Sequence, residues 1–325
     1  MFDKLNVEDA QERIRPFVNA TPVLTSSYLN DLTGKNLYFK CENFQKTGSF
    51  KARGALNAIL KARSSGHVTG VIAHSGGNHG QAVAWAAKQI GVPCVVVSPS
   101  TTPKTKVDAM RDYGAEMVIT EPTMTAMVET SARLAKERGY TFIDPMNDYD
   151  VMSGQGTVAK EFLEQVDGLE AVLIATGGGG LASGVAGYVK AQKPACKEQV
   201  DHLDAVLIAT GGGGLASGVA GYVKAQKPAC KDTVADGCRP LAVGDKCFDV
   251  LLRSAEHTVF PVTDEEILEA MKLILQRMKL VVEPSAALGL AAILKYKDAL
   301  KDYHNIGLVL CGGNVDLTQN LGKHE

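Results

Sequence analysis

Four short segments carry residue types and spacings suited to chemistry. The first runs Asn43-Phe44-Gln45-Lys46-Thr47-Gly48-Ser49-Phe50-Lys51-Ala52-Arg53-Gly54. Lys51 falls in the first turn of an expected helix, straight after a Gly-Ser turn, with Ser49 as its N-cap. A cation there opposes the helix dipole, which favours negative charge at that end. Raising the cost of charge lowers a lysine pKa, and an uncharged amine is a nucleophile and a base. Most lysines are solvated surface groups, so Lys51 gains meaning only from its company. The second segment is Gly177, Gly178, Gly179 and Gly180, between the apolar run AVLIAT and the run LASGVAGYVKAQ. Backbone amides without side chains can wrap an anion there, and a helix N-terminus adds a favourable field. Gly177, Gly179 and Ala182 also match a dinucleotide fingerprint, but Glu198 does not end an apolar run as that reading needs. The third segment is His74-Ser75-Gly76-Gly77-Asn78-His79-Gly80-Gln81, whose hydroxyl and amide donors suit a carboxylate or a ring oxygen. The fourth is Cys311-Gly312-Gly313-Asn314, after the run NIGLVL.

The elements around these segments alternate. Runs at 70–74, 93–98, 116–120 and the stretch TFIDP read as strands, with helices at 78–90, 105–113 and 125–138 between them. Parallel strands need long crossovers, so this order predicts a parallel sheet. Strands at 36–41, 172–176 and 306–310, and helices at 181–192 and 265–278, continue the pattern on both sides. The expected fold class is α/β: two domains, each an open, mostly parallel twisted sheet with flanking helices. Residues 69–146 form a small domain inserted in a large one built from 1–68 plus 147–325. Three of the four segments then sit beyond strand ends, where open α/β sheets bind ligands.

The chain has 325 residues, 34 Lys and Arg against 36 Asp and Glu, and 45% hydrophobic residues. That balance suits a chain with a core of its own and gives no footprint for a nucleic-acid polymer. No apolar run reaches the ~18 residues of a membrane span. The N-terminus lacks the apolar centre of a signal peptide, so a cytoplasmic location is expected. The seven cysteines, at 41, 94, 196, 230, 238, 247 and 311, have no CxxC spacing, so neither zinc nor a disulfide framework is expected.

Residues 164–197 and 198–231 are near copies, differing at Gly168/His202 and Glu170/Asp204. Two copies, each with a strand and four glycines, do not make a helical repeat array. Gly211–Gly214 is therefore a second possible anion loop, and Val206 to Thr210 a second possible strand.

The ordered series KCENFQKTGSFKARGALNA, SGGNHGQA, SGQGT, GGGG, VADG, RMKLVVEPSAALG and CGGNVDL resembles the serine racemase and serine/threonine dehydratase family of pyridoxal-phosphate enzymes, the fold-type II group with a tryptophan synthase β-like fold. The resemblance implies that Lys51 condenses with the cofactor aldehyde and then moves protons. It implies that Gly177–Gly180 hold the phosphate and that Asn78 meets the ring hydroxyl. Cys311 falls where a Ser or Cys faces the pyridine nitrogen, and Asp236-Gly237 and Glu283 match other cofactor-side positions. Ser75, Gly76, Asn78 and His79 fall in the segment for the substrate carboxylate. Gln81, Lys279 and Asn314 match nucleotide positions of some racemases. A homodimer acting on a small amino acid is expected.

Departures from the pattern bear on the reaction. Racemases of this family typically carry a second Ser where this chain has Gly76, and that Ser moves the proton on the face opposite the lysine. Racemisation needs a proton carrier on each face, whereas elimination runs with lysine alone. Gly76 therefore points to β-elimination from L-serine or L-threonine, giving a 2-oxo acid and ammonia. Serine racemase with elimination as a side reaction is the alternative. A catalytically impaired member, disabled by the duplication, is a third reading. An arginine near the racemase substrate aligns with about Met127. The acidic cluster that holds a divalent metal in many members is not present in 198–231, so no metal ligands are assigned.

Overall fold

The structure is a computed structural model that describes residues 5–66, 68–192, 205–211, 233–238, 243–255 and 259–315. Among these, the strands are β1 (Val23–Leu24), β2 (Asn36–Lys40), β3 (Val71–His74), β4 (Cys94–Pro99), β5 (Glu116–Thr120), β6 (Thr141–Phe142), β7 (Ala171–Ala175), β8 (Ala205–Gly211), β9 (Val259–Val262) and β10 (Asn305–Val309). The helices are α1 (Val7–Ile14), α2 (Ser27–Thr33), α3 (Lys51–Ser65), α4 (Asn78–Ile90), α5 (Lys104–Asp112), α6 (Met124–Arg138), α7 (Tyr149–Gln165), α8 (Gly180–Gln192), α9 (Asp245–Ser254), α10 (Asp264–Leu273) and α11 (Pro284–Lys295).

Two sheets result. One has the order β5-β4-β3-β6 and is parallel throughout. The other has the order β1-β2-β10-β7-β8-β9, with β1 antiparallel and the rest parallel. The α/β class with mostly parallel sheets is therefore what the chain adopts. Inner strands buried on both faces need continuous apolar runs, which VIAH, CVVVSP and AVLIA supply. Strand β8, from the second copy, lies between β7 and β9. It pairs with β7 so that equivalent residues of the two copies face each other, from Ala171↔Ala205 to Ala175↔Ala209. The second glycine run falls at the end of β8, and Gly212–Gly214 lie outside the described residues.

Local chemistry moves some boundaries. Phe50, not Ser49, is the N-cap of α3, and no side chain caps it. Ser49 is extended and bridges Gly312 instead, tying the start of α3 to the loop after β10. The run TFIDP yields a strand of two residues. Beyond it, Asp144 Oδ1 accepts from the Met146 and Asn147 amides at 2.8 and 2.6 Å and turns the chain away. The expected helix at 265–278 is α-helical only to Leu273, then widens to a π turn over Ile274–Met278.

Helix α7 is the spacer of the fold. A Cβ on its Gly154 would stand 2.6 Å from Gly54 Cα of α3, and one on its Gly156 would stand 2.8 Å from Gly184 O of α8. Only missing side chains allow backbones that close. The carrier of Lys51 and the helix behind the glycine loop are thus both seated on α7. Ala52, Ala55, Leu56 and Ile59 of α3 pack into the apolar cluster around the four-stranded sheet, although α3 precedes residue 69.

Candidate active site

A cavity of about 920 Å³ opens between the two sheets. Lys51, Ser75, Gly76, Asn78, His79, Gly177–Gly180, Glu283 and Cys311 all line it. Lys51 reaches the cavity from the start of α3 and Glu283 from the N-cap of α11, and the loops after β3, β7 and β10 supply the others.

Lys51 is the first residue of α3, and its Nζ donates to Pro145 O at 2.6 Å. Burial lowers its pKa from 10.5 to about 8, against the pull of Cys247, Asp144, Cys311 and Glu283. The amine is therefore far easier to discharge than one in water.

Two residues along α3, Arg53 is fully buried. Its Nε and Nη2 donate to the two oxygens of Glu42 at 2.8 Å each, and Nη1 donates to Glu161 at 3.1 Å. Lys40 Nζ closes the group by donating to Glu161 at 2.5 Å. Two cations and two carboxylates balance inside the fold and clamp the turn that carries Lys51. Sequence reasoning missed this group. Its signal was charge inside otherwise apolar runs, Lys40 in β2 and Glu161 in α7.

The glycine loop has no room for side chains. A methyl on Gly177 would overlap Gly237 O, and one on Gly178 would overlap the Met146 sulfur. Gly179 has φ +95°, and a Cβ there would lie 2.7 Å from Val243. The loop lines the cavity just ahead of α8, and a glycine run at a helix N-terminus is the kind of place where backbone amides bind an anion.

On another wall, Asn78 Nδ2 donates to both Glu283 oxygens at 3.0 and 2.9 Å, and Asn314 Nδ2 donates to Asn78 Oδ1 at 2.8 Å. Burial raises the Glu283 carboxyl to about 7, and Asp236 pushes the same way. Burial also holds the Cys311 thiol well above its usual range, so it stays neutral. His79 is buried with Nε2 2.9 Å from Ile143 O, and burial lowers its pKa to about 3. It is a neutral ring at working pH.

Gly76 faces Thr102. A Cβ at 76 would stand 2.7 Å from Thr102 Oγ1, which in turn lies 2.8 Å from Ser98 Oγ. Lys106 on α5 reaches Asp236 at 2.6 Å and joins the walls contributed by the two sheets. Neither Thr102 nor Lys106 stood out in the sequence. Among the described residues, no group of three or more His, Cys, Asp or Glu side chains is arranged to hold a metal ion. No helix among them is long and apolar enough to cross a membrane.

A largely buried amine and a side-chain-free glycine loop line one cavity between two mostly parallel sheets, an arrangement that suits an enzyme handling a phosphate-bearing carbonyl compound. The chain belongs to the family described as pyridoxal-phosphate dependent enzymes, which it matches over residues 14–312. It is 41% identical to a serine racemase of Arabidopsis thaliana, over 97% of this chain and 94% of that protein. It is also 41% identical to a beta-hydroxyaspartate dehydratase of Paracoccus denitrificans, over 95% of each. The structure of maize serine racemase superposes with a TM-score of 0.89 at 38% identity, covering 98% of this chain and 94% of that one. The chain is thus similar both to racemases and to enzymes that eliminate.

Proposed function

We propose that this protein removes water from a small 3-hydroxy amino acid, L-serine or L-threonine, giving a 2-oxo acid and ammonia. The residues present suit pyridoxal phosphate. The loop Gly177–Gly180 offers amides for its phosphate, and Lys51 offers an amine that discharges near neutral pH. In this reading Asn78 would meet the ring hydroxyl and Cys311 the ring nitrogen; the contacts that both make with Glu283 support grouping them at one ring. When bound, the cofactor supplies an aldehyde for the substrate amine and a conjugated ring that draws electrons from Cα.

The chain's own groups do the rest. Ser75, Gly76, Asn78 and His79, at the start of α4, receive the substrate carboxylate with hydroxyl, amide and backbone donors. Lys51, held at the edge of its titration, takes the α-proton and later returns a proton to the leaving hydroxyl. The buried thiol of Cys311 stays uncharged and adds no positive charge beside the ring, which favours prompt loss of the leaving group. The observation that carries elimination over racemisation is Gly76. It has no side chain to carry a proton opposite Lys51.

Racemisation of serine is the second reading, favoured by the Thr102 hydroxyl beside Gly76. The duplication does not interrupt the sheet, since β8 fills the place between β7 and β9; this supports an active enzyme over an impaired one. We place the enzyme in the cytoplasm as a homodimer, with the 69–146 segment as its small domain. Purified protein given L-serine, then L-threonine, is assayed for pyruvate or 2-oxobutanoate, ammonia and D-serine. Pyruvate should exceed D-serine, and Lys51→Ala should abolish both. Predominant D-serine overturns the Gly76 argument.

A further inference from the structure

Gly76 removes a side chain from the cavity wall, and the structure fills the space from elsewhere. Thr102 lies just after β4, and its amide bonds back to Pro99 O at 3.0 Å, which fixes the turn. That turn delivers Oγ1 to within 2.7 Å of the point where a Cβ on residue 76 would stand. Both residues line the cavity. Their positions hold one hydroxyl between them, and here it comes from 102.

The setting of that hydroxyl differs from its neighbours. Ser75 Oγ accepts from the Gly77 amide, and Ser285 Oγ accepts from the Gly237 amide. Thr233 donates to an Asp264 carboxylate. Thr102 bonds instead to another hydroxyl, that of the fully buried Ser98, and either of the two can donate. With Ser98 donating, the Thr102 hydrogen turns to the cavity, and Ser98 steadies the oxygen once that hydrogen leaves. Lys51 is flanked by Pro145, Cys247 and Cys311, and Thr102 by Ser98, Pro99 and Gly76. Lys51 comes from the first turn of α3 and Thr102 from the turn after β4, and both line the cavity, so the amine and the hydroxyl reach it from different elements.

We propose that Thr102 is a catalytic residue that carries a proton to the substrate Cα on the face away from Lys51. The chain then racemises serine beside its main reaction. This rests on the proposed function, whose substrate and Lys51 chemistry it shares. Lys51 Nζ takes the α-proton as the Cα–H bond breaks. The electron pair left at Cα forms a new C–H bond with the Thr102 proton on the other face. The proton on Lys51 then returns to the Thr102 oxygen through cavity water. No electron is gained or lost, and L-serine becomes D-serine.

Two measurements test this. In turnover with L-serine, Thr102→Val keeps the shape and removes the hydroxyl, so the D-serine-to-pyruvate ratio falls at least about tenfold. Thr102→Ser restores it. An unchanged ratio in Thr102→Val overturns the proposal, and so does wild-type protein that makes pyruvate without D-serine. Wild-type protein that makes neither product rejects the function above together with this one. The cofactor-free protein gives a readout independent of turnover. Gly76→Ser crowds Thr102 and lowers the melting temperature by roughly 2–6 °C. Adding Thr102→Ala recovers at least half of that loss. Melting shifts that simply add overturn the shared position.

Discussion

Lys51→Met in the cofactor-free protein tests the central physical claim, that the fold holds this amine at a cost. Burial moves the Lys51 pKa from 10.5 to about 8. At ~1.4 kcal/mol per pH unit, holding the ammonium at pH 7 costs about 3 kcal/mol. The side chain keeps some contact with the cavity, so screening by cavity water reduces this to about 2 kcal/mol. Methionine has a similar reach and no charge. It loses the bond to Pro145 O, worth ~1 kcal/mol, so the net gain at pH 7 is about 1 kcal/mol. The sign of the pH dependence is fixed. Between pH 8 and 10.5 the unfolded lysine keeps its proton while the folded one sheds it, so wild-type stability rises with pH there. The advantage of Lys51→Met therefore shrinks across that window and is constant below it. Urea unfolding at pH 7, 8, 9 and 10 measures it. A variant less stable than wild type at pH 7, or a gap that does not move between pH 8 and 10, would refute the burial argument.

Other consequences follow from the same geometry. Cofactor-free protein should capture pyridoxal phosphate faster as pH rises through about 8, because only the neutral Lys51 amine attacks; stopped-flow absorbance reads this. Arg53→Met leaves Glu42 and Glu161 buried without their main partner and should cost ~3–5 kcal/mol in urea unfolding. Gly184→Ala sets a methyl against Met152 O and Gly156 N of α7, and should cost ~2–4 kcal/mol and weaken cofactor binding, read by unfolding and by fluorescence titration. Glu283→Gln should flatten stability between pH 4.5 and 7, since the raised folded pKa makes the wild type lose stability as pH climbs through that range.

The parallel sheets were legible because inner strands must be apolar throughout and crossovers must be helical. The positions of Lys51, Asn78, Gly177 and Cys311 were legible because Lys51 and Asn78 open helices while Gly177 and Cys311 follow strand ends. What could not be read was anything depending on partners far apart in sequence. Arg53 and Glu161 are 108 residues apart, and Lys106 and Asp236 are 130 apart. The hydroxyl beside Gly76 comes from the next strand's loop, so sequence reading registered a loss at 76 without its replacement at 102. Ser49 looked like a helix cap because its type fits. Its backbone is instead recruited to Gly312, a contact that local propensity does not contain.

The duplication poses a question that geometry sharpens. The run AVLIAT serves as β7 and again as β8, side by side and in register. A parallel strand inside a sheet asks mainly for a continuous apolar run, and a second copy meets that demand as well as the first. A glycine loop asks for more. Its amides must meet a helix N-terminus and the amine, and here α7 sets that spacing through Gly154 and Gly156. The first copy's loop leads into α8, which is seated on α7 through Gly184, and it lines the same cavity as Lys51. That loop is therefore the one proposed for the phosphate. Gly178→Val, which drives a side chain into Met146, should abolish capture of pyridoxal phosphate, whereas the equivalent Gly212→Val should leave capture within about twofold of wild type. Equal loss in both variants would mean that the second copy shares in the anion site, and loss only in Gly212→Val would move the site to it.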